Sequence, residues 1–222
     1  MESLYQRHRF PPEIISHAIW LYHSFTLILR DVEDLLAERG VTVSYEAIRS
    51  WCRKFGPAYA RTLRRRQGRL GDIWHVDEVF IIIRGERHYL SRAVDQDGDV
   101  LDILVSRHRD KRAAKRFFRK MLKQQGKAPW QLVTDKLRSY PAAHREVFPS
   151  VTHRSGQYEN NLADVSHQHT REPERQMRRF KSAAQLQRFL CVHGPILNQL
   201  RVGRHHLKAI HHRLLKEQAF TA

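Results

Sequence analysis

The chain has 222 residues, too few for three ordinary domains and enough for one of about 150 residues with a smaller one beside it. Its 40 Lys and Arg residues outnumber its 23 Asp and Glu residues, so the formal net charge is +17. Such an excess destabilises a compact chain by self-repulsion, and we therefore expect an anionic partner, either nucleic acid or an anionic membrane surface. The alternative interpretation is a structural protein of the ribosomal type, or a merely soluble basic protein, because both have a similar excess of basic over acidic residues.

The cysteine content and the hydropathy of the sequence further limit the class of protein to which the chain can belong. With Cys52 and Cys191 as its only cysteines, the chain has neither a disulfide framework nor a CxxC zinc pair, which favours a reducing, cytosolic setting. The first residues lack the apolar run of a signal peptide, and no window approaches 18 uncharged apolar residues. We expect a soluble protein with no membrane partner and, at 41% hydrophobic residues, a sizeable core.

The N-terminal segment has the pattern of three helices. The first begins at the proline pair 11–12, and the second is predicted over Leu29–Arg39 with Gly40 as its left-handed C-cap. Ser44 is placed to cap the third helix, which we expect to end at Gly56-Pro57.

Two helices joined by a tight glycine turn are typical of a helix-turn-helix, which we predict as an all-α DNA-binding domain over residues 1–60. The basic residues on the outer side of the third helix are the candidate DNA contacts: Arg49, Arg53 and Lys54. A solvated charged face is the alternative interpretation. The polar, basic stretch over 61–71 contains two glycines and is predicted to be a linker.

After residue 72 the pattern changes to that of an α/β domain. Five strands are predicted from β-branched and aromatic runs: Ile73–Ile83, Arg87–Val94, Val100–Val105, Trp130–Thr134 and Val151–His153. The first three form an antiparallel meander, and helices are expected at these places: after a cap at Asp110, then over Ser139–Val147, Ala163–Lys181 and Ala183–Leu200. This order predicts a ribonuclease H-like mixed five-stranded sheet with flanking helices over residues 72–205, followed by a basic tail over 206–222.

Two aspartates are the leading candidates for chemistry. Asp77 lies in the middle of an apolar strand, where a charge is costly unless it is paired or binds a metal. Because strand side chains alternate, Glu78 points to the opposite face, and we expect only one of these adjacent acids to join a given site. Asp135 ends the fourth strand and lies near Asp77 if that strand pairs with the first. Two close carboxylates suit hard divalent cations, whereas a buried salt bridge to an arginine is the alternative.

A third carboxylate is needed to complete such a site. The segment after the fifth strand offers several, and spacing does not choose among them: Glu159, Asp164, Glu172 and Glu174.

Sequence blocks over nearly the whole chain, from about Phe10 to Leu207, resemble bacterial insertion-sequence transposases of the IS-six group. They include WHVDEVF, GERHYLSRAVDQDGDVLDILV, VTDKLRSY and RFLCVHGPI. The resemblance implies a helix-turn-helix followed by a ribonuclease H-like domain with an Asp, Asp, Glu triad. It also implies metal-dependent cutting and joining of double-stranded DNA at element ends with Mg²⁺ or Mn²⁺, two ions, at least a dimer on DNA, and a bacterial, nucleoid-associated cytoplasmic location.

Carried over position by position, the family's first two acids fall on Asp77 and Asp135. The third falls on Asp164 in NNLADVSHQ, where relatives that resemble this chain have Glu. The family's basic residue seven positions later falls on Arg171, and His167 is a further candidate contact to DNA or to the surroundings of the metal.

The change from Glu to Asp shortens the third side chain by one methylene, about 1.5 Å. Because metal–ligand distances tolerate little error, we expect a transposase of reduced activity. The alternative is a catalytically impaired remnant that acts only by binding DNA. A ribonuclease H-like nuclease or resolvase that cuts branched DNA is a further alternative, which the helix-turn-helix disfavours because structure-specific cutting rarely needs base readout.

Overall fold

The structure, a computed structural model, describes residues 8–25, 27–66, 70–156, 160, 180–201, 210, 211 and 214. Its helices are α1 Pro12–Ser24, α2 Leu29–Ala37, α3 Tyr45–Arg66, α4 Lys111–Gln125, α5 Ser139–Val147 and α6 Ala183–Arg201. Its strands are β1 Ile73–Ile83, β2 Glu86–Asp95, β3 Val100–Ser106, β4 Gln131–Thr134 and β5 Thr152–Arg154. Within these ranges no helix is both long and apolar enough to cross a membrane.

The five strands form one mixed sheet in the order β3-β2-β1-β4-β5. The pairs β1–β2 and β2–β3 are antiparallel, whereas β4 pairs in parallel with both β1 and β5. On one face Trp74 and Val76 pack with α4 and α5, and on the other Ile81 and Ile83 pack with α6. The predicted ribonuclease H-like sheet with flanking helices is confirmed, and β1 lies at its centre.

Several predicted helix boundaries are confirmed by their caps. The Ser44 hydroxyl accepts a hydrogen bond from the Ala47 N–H at 3.4 Å, and Asp110 accepts one from the Ala113 N–H at 2.8 Å. Gly40 has φ +76° just after α2, so it takes the left-handed conformation that the turn requires. The helix predicted over residues 163–181 lies almost wholly outside the described residues.

The prediction that the third helix ends at Gly56-Pro57 is wrong, because α3 continues to Arg66. A proline inside a helix costs about 3 kcal/mol, and long-range packing against α6 offsets that cost. A Cβ on Gly56 would lie only 3.3 Å from Val192 Cγ2, so the glycine permits the close approach of the two helices.

Helix α6 completes the hydrophobic core of the N-terminal helices. Val192 and Ile196 are buried with α1, α2 and α3, and the Arg64 guanidinium donates to the Cys191 carbonyl at 2.7 Å. Helix α3 also extends into the stretch predicted as a linker over 61–71, which is helical as far as Arg66. The division of the chain at residue 60, like the basic tail over 206–222, stays a prediction.

The interface between α1 and α6 contains a buried histidine that makes stability depend on pH. His23 stacks on Phe189, its Nδ1 lies 2.8 Å from the Ile19 carbonyl oxygen, and burial lowers its pKa from 6.5 to about 3. Below pH 6.5 the unfolded chain binds a proton at His23 that the folded chain does not. We therefore expect the free energy of unfolding to fall as the pH drops from 6.5 towards 3, by up to about 1.4 kcal/mol per pH unit from this residue.

Urea denaturation of the natural chain and of His23→Gln at pH 7, 6 and 5 measures this effect. The free energy of unfolding of the variant should depend less steeply on pH, by the slope that corresponds to about one bound proton. Equal slopes for the two proteins would contradict the assignment to His23.

Candidate active site

The pairing of β1 with β4 brings the two predicted aspartates side by side. His75 pairs with Val133 and Val76 with Thr134, so Asp77 and Asp135 occupy the next position in the same parallel register. Asp77 is buried, whereas the Asp135 side chain is 31% exposed at the strand end. The predicted pairing of the fourth strand with the first is confirmed, and with it the closeness of the two carboxylates.

The surroundings of Asp135 disfavour an unaccompanied negative charge. Burial raises the pKa of this carboxyl above 3.8, and the negative charge of Asp77 raises it further. The Leu137 N–H donates to Asp135 Oδ1 at 3.0 Å and, with Arg109, partly opposes that rise in pKa. A cation bound by both aspartates would remove the repulsion, because an opposite charge favours the ionised form.

An arginine on the neighbouring strand faces Asp77. Arg92 lies directly opposite Asp77 in the antiparallel β1–β2 register and is only 1% exposed. Cβ atoms of such a pair are about 4.5–5.5 Å apart, on one face of the sheet. The salt-bridge interpretation of Asp77 therefore has an identified candidate partner, on the side of β1 away from Asp135.

The expectation that only one of Asp77 and Glu78 joins a given site stays a prediction, but an arginine connects Glu78 to Asp135. Glu78 does point to the opposite face, but Arg109 Nε contacts Glu78 Oε1 at 2.6 Å and Arg109 Nη2 contacts Asp135 Oδ2 at 3.5 Å. Asp135 follows the last residue of β4. Burial raises the pKa of Tyr140, and the negative charges of Glu78, Asp135 and Asp77 raise it further, so we describe these three acids as one acidic group.

Sequence reasoning missed both Glu78 as a member of this group and Arg109. No local pattern marks Arg109, which lies between β3 and α4 and reaches the site only through the fold. The sequence signal for Glu78 was its place beside Asp77 in WHVDEVF, but the alternation of strand side chains assigned it to the opposite face of the sheet.

Removing the Arg109 side chain should destabilise the fold through Glu78. The Glu78 side chain is 5% exposed, and burial already raises its pKa above 4.5 despite Arg109. We expect Arg109→Ala to lower the free energy of unfolding at pH 7 by about 1–2 kcal/mol, less than for a fully buried pair because Arg109 is partly exposed. Chemical denaturation measures the change.

The matched variant Arg109→Ala/Glu78→Gln should regain most of that loss, because it removes the uncompensated carboxylate. Acidification to pH 5 should also restore part of the stability of Arg109→Ala, since Glu78 in the folded chain binds a proton before Glu in the unfolded chain does. An equally unstable double variant would show that Arg109 acts through packing instead.

Asn160, four residues before the predicted third acid in the sequence, is bonded to β1 next to Asp77. Asn160 is buried, and its Nδ2 donates to the Val76 carbonyl at 2.8 Å. Asp164, His167 and Arg171 lie outside the described residues. Among the described residues, no three His, Cys, Asp or Glu side chains cluster as a metal site would require, so the two aspartates are the part of the predicted triad that the structure describes.

The candidate DNA contacts on α3 lie in different surroundings. Arg49, Arg53 and Lys54 are all exposed. Arg49 pairs with Glu46 at 2.7 Å, and Lys54 Nζ lies 3.0 Å from His8 Nε2. Arg49 and Arg53, one turn apart, also line a cleft between α3 and α6.

A mixed sheet of this order with helices on both faces is the fold of a ribonuclease H-like domain. A family model described as a DDE domain matches residues 71–202. The chain is 31% identical over 166 residues to the transposase for insertion sequence-like element IS431mec of Staphylococcus aureus, covering 72% of this chain and 74% of that protein. It is 30% identical, with the same coverage, to the transposase for insertion sequence element IS257 in transposon Tn4003 of that organism.

The chain belongs to the DDE transposases of the IS-six group, which makes it an enzyme that cleaves DNA and transfers strands. Solved structures similar to it include the HTLV-2 integrase catalytic core domain in complex with magnesium, with TM-score 0.37 and 16% identity over 46% of this chain and 68% of that one. The catalytic domain of Mos1 mariner transposase matches with TM-score 0.37 and 10% identity over 74% of this chain and 92% of that one.

Proposed function

We propose that this transposase binds the terminal inverted repeats of its insertion sequence and cuts and joins them with a site built from Asp77, Asp135 and Asp164. The observation that carries the proposal is the buried Asp77 in an apolar strand, beside Asp135 in the parallel β1–β4 register. Two neighbouring carboxylates at the centre of a sheet, with a raised Asp135 pKa, suit a hard divalent cation.

Carboxylate oxygens are the ligands that Mg²⁺ and Mn²⁺ prefer. Asp77, Asp135 and Asp164 would hold the two ions that we propose. When bound, such ions activate a water or a DNA 3′-hydroxyl as nucleophile and stabilise the leaving oxygen. Arg109 contacts Asp135 and partly balances its charge, and Asn160, four positions before Asp164 in the sequence, donates to the Val76 carbonyl on β1.

We further propose that DNA is held at two places. Arg49, Arg53 and Lys54 on α3 contact the terminal repeat, and Arg171, with His167, contacts the DNA near the scissile phosphate. Because two element ends must be joined, we propose at least a dimer assembled on DNA, acting in the bacterial cytoplasm at the nucleoid.

The experiment is cleavage of a labelled duplex that ends in the element's own terminal repeat. We expect nicking at the repeat end with Mg²⁺ or Mn²⁺, and none with EDTA or with a scrambled duplex of equal length. Equal cutting of the scrambled duplex, or preferred cutting of a branched junction, would favour a structure-specific nuclease. Specific binding without cutting would identify a remnant that only binds DNA.

A further inference from the structure

The cleft between α3 and α6 has a chemistry that the active site does not use. It has a volume of about 490 Å³, and cations line it from two parts of the chain: Arg49 and Arg53 on α3, and Lys181 and Arg188 just before and within α6. We call these four side chains and the space between them the α3–α6 cleft. Its floor is apolar and includes Phe189 and Val192.

The charged side chains known to line the α3–α6 cleft are all cationic. Among the residues that the structure describes, no Asp or Glu lines it, and all four cationic side chains are exposed. Arg49 shares its charge with Glu46, whereas Arg53, Lys181 and Arg188 have no carboxylate partner within the described part of the chain. A concave surface lined by charges of one sign concentrates counter-ions, so this cleft is suited to anionic groups.

The two sides of the cleft are held at a fixed spacing. Gly56 lets α3 approach Val192, and the Arg64 bond to the Cys191 carbonyl ties the end of α3 to α6. Val192 and Ile196 are buried in the same core as the N-terminal helices. The cations on the α6 side therefore stand beside those of α3 before any ligand binds, which reduces the ordering cost of binding.

We propose that the α3–α6 cleft binds the sugar-phosphate backbone of the duplex that α3 contacts, with Lys181 and Arg188 as phosphate contacts. One stretch of DNA would then be bound by the N-terminal helices and by the last helix of the catalytic domain together. This inference rests on the proposed binding of DNA by α3 and adds contacts from Lys181 and Arg188, which lie outside the three N-terminal helices. Phosphate contacts fix the position of a protein on a duplex without reading its sequence.

The test compares Lys181→Ala/Arg188→Ala with the natural chain in fluorescence-anisotropy titrations of terminal-repeat and scrambled duplexes at several salt concentrations. Each lost phosphate contact lowers the slope of log K against log salt by about 0.9, so we expect the double variant to lose about 2 units of slope on both duplexes. The preference for the terminal repeat should remain. An unchanged Tm in thermal unfolding would show that the double variant is folded. Each of the two single variants should lose about one unit of the slope.

Two matched controls distinguish the loss of positive charge in the α3–α6 cleft from the loss of these particular side chains and from the loss of charge elsewhere on the chain. Lys181→Arg/Arg188→Lys keeps both charges and should keep the slope. Lys111→Ala/Lys115→Ala removes two charges that α4 already pairs with Glu146, and should change the slope much less. A slope unchanged in Lys181→Ala/Arg188→Ala, or lowered equally by the α4 variant, would overturn the proposal. An uncut terminal repeat that still binds with the expected slope change would overturn the proposed catalysis and leave the cleft intact.

Discussion

Replacing Asp77 with asparagine is expected to lower the rate of metal-dependent end cleavage by about 10³-fold or more while changing DNA affinity less than about twofold. The amide has nearly the same shape as the carboxylate but lacks the charge that a divalent cation requires. Asp77 is buried at the centre of the sheet, whereas the candidate DNA contacts Arg49, Arg53 and Lys54 are exposed on α3, so the DNA contacts of α3 should not change. Single-turnover cleavage and anisotropy titration measure the two quantities.

Glu78→Gln is the matched control for this prediction. It removes one negative charge from the adjacent residue of the same strand, but that side chain points to the other face and contacts Arg109. We expect it to retain most of the cleavage rate. A second readout is thermal: Mg²⁺ should raise the Tm of the natural chain and of Glu78→Gln, and not that of Asp77→Asn. Cleavage by Asp77→Asn within tenfold of the natural rate would contradict a role as metal ligand.

The sequence predicted those parts of the fold whose signal is local. β1 is a long β-branched run, and Asp110 and Ser44 are cap residues placed just before apolar periodicity, so these elements form where expected. The pairing of β4 with β1 followed from the expected strand order, and this placed Asp135 beside Asp77. Each of these inferences needs only neighbours in sequence or a common sheet topology.

The features that failed all depend on contacts between distant residues. Gly56-Pro57 is a strong local stop signal, yet Val192, far along the chain, packs against that glycine and the helix continues. Arg109 joins Glu78 and Asp135 only because β3, β1 and β4 lie in one sheet. The α3–α6 cleft has the same origin, since Arg53 and Arg188 are 135 positions apart in the sequence and meet only in the fold.

Asp164→Glu is expected to increase the cleavage rate by about 10- to 100-fold. The buried Asn160 donates to the Val76 carbonyl, so the NNLADVSHQ segment starts beside the residue that precedes Asp77. An aspartate at position 164 reaches one methylene less far than a glutamate at the same position would. A misplacement of about 1 Å can cost about 10²-fold in rate, and the added methylene would restore the reach.

The comparison uses the same labelled duplex, with Asp164→Asn and Asn160→Ala/Asp164→Glu as companions. Asp164→Asn should lose the remaining activity, because the amide cannot supply a charged ligand. Asn160→Ala/Asp164→Glu should lose most of the gain, because the longer side chain helps only if its segment stays tied to β1. Cutting by Asp164→Glu alone would identify a folded enzyme impaired at one ligand, whereas equal rates for Asp164→Glu and the natural chain would mean that three aspartates already suffice here.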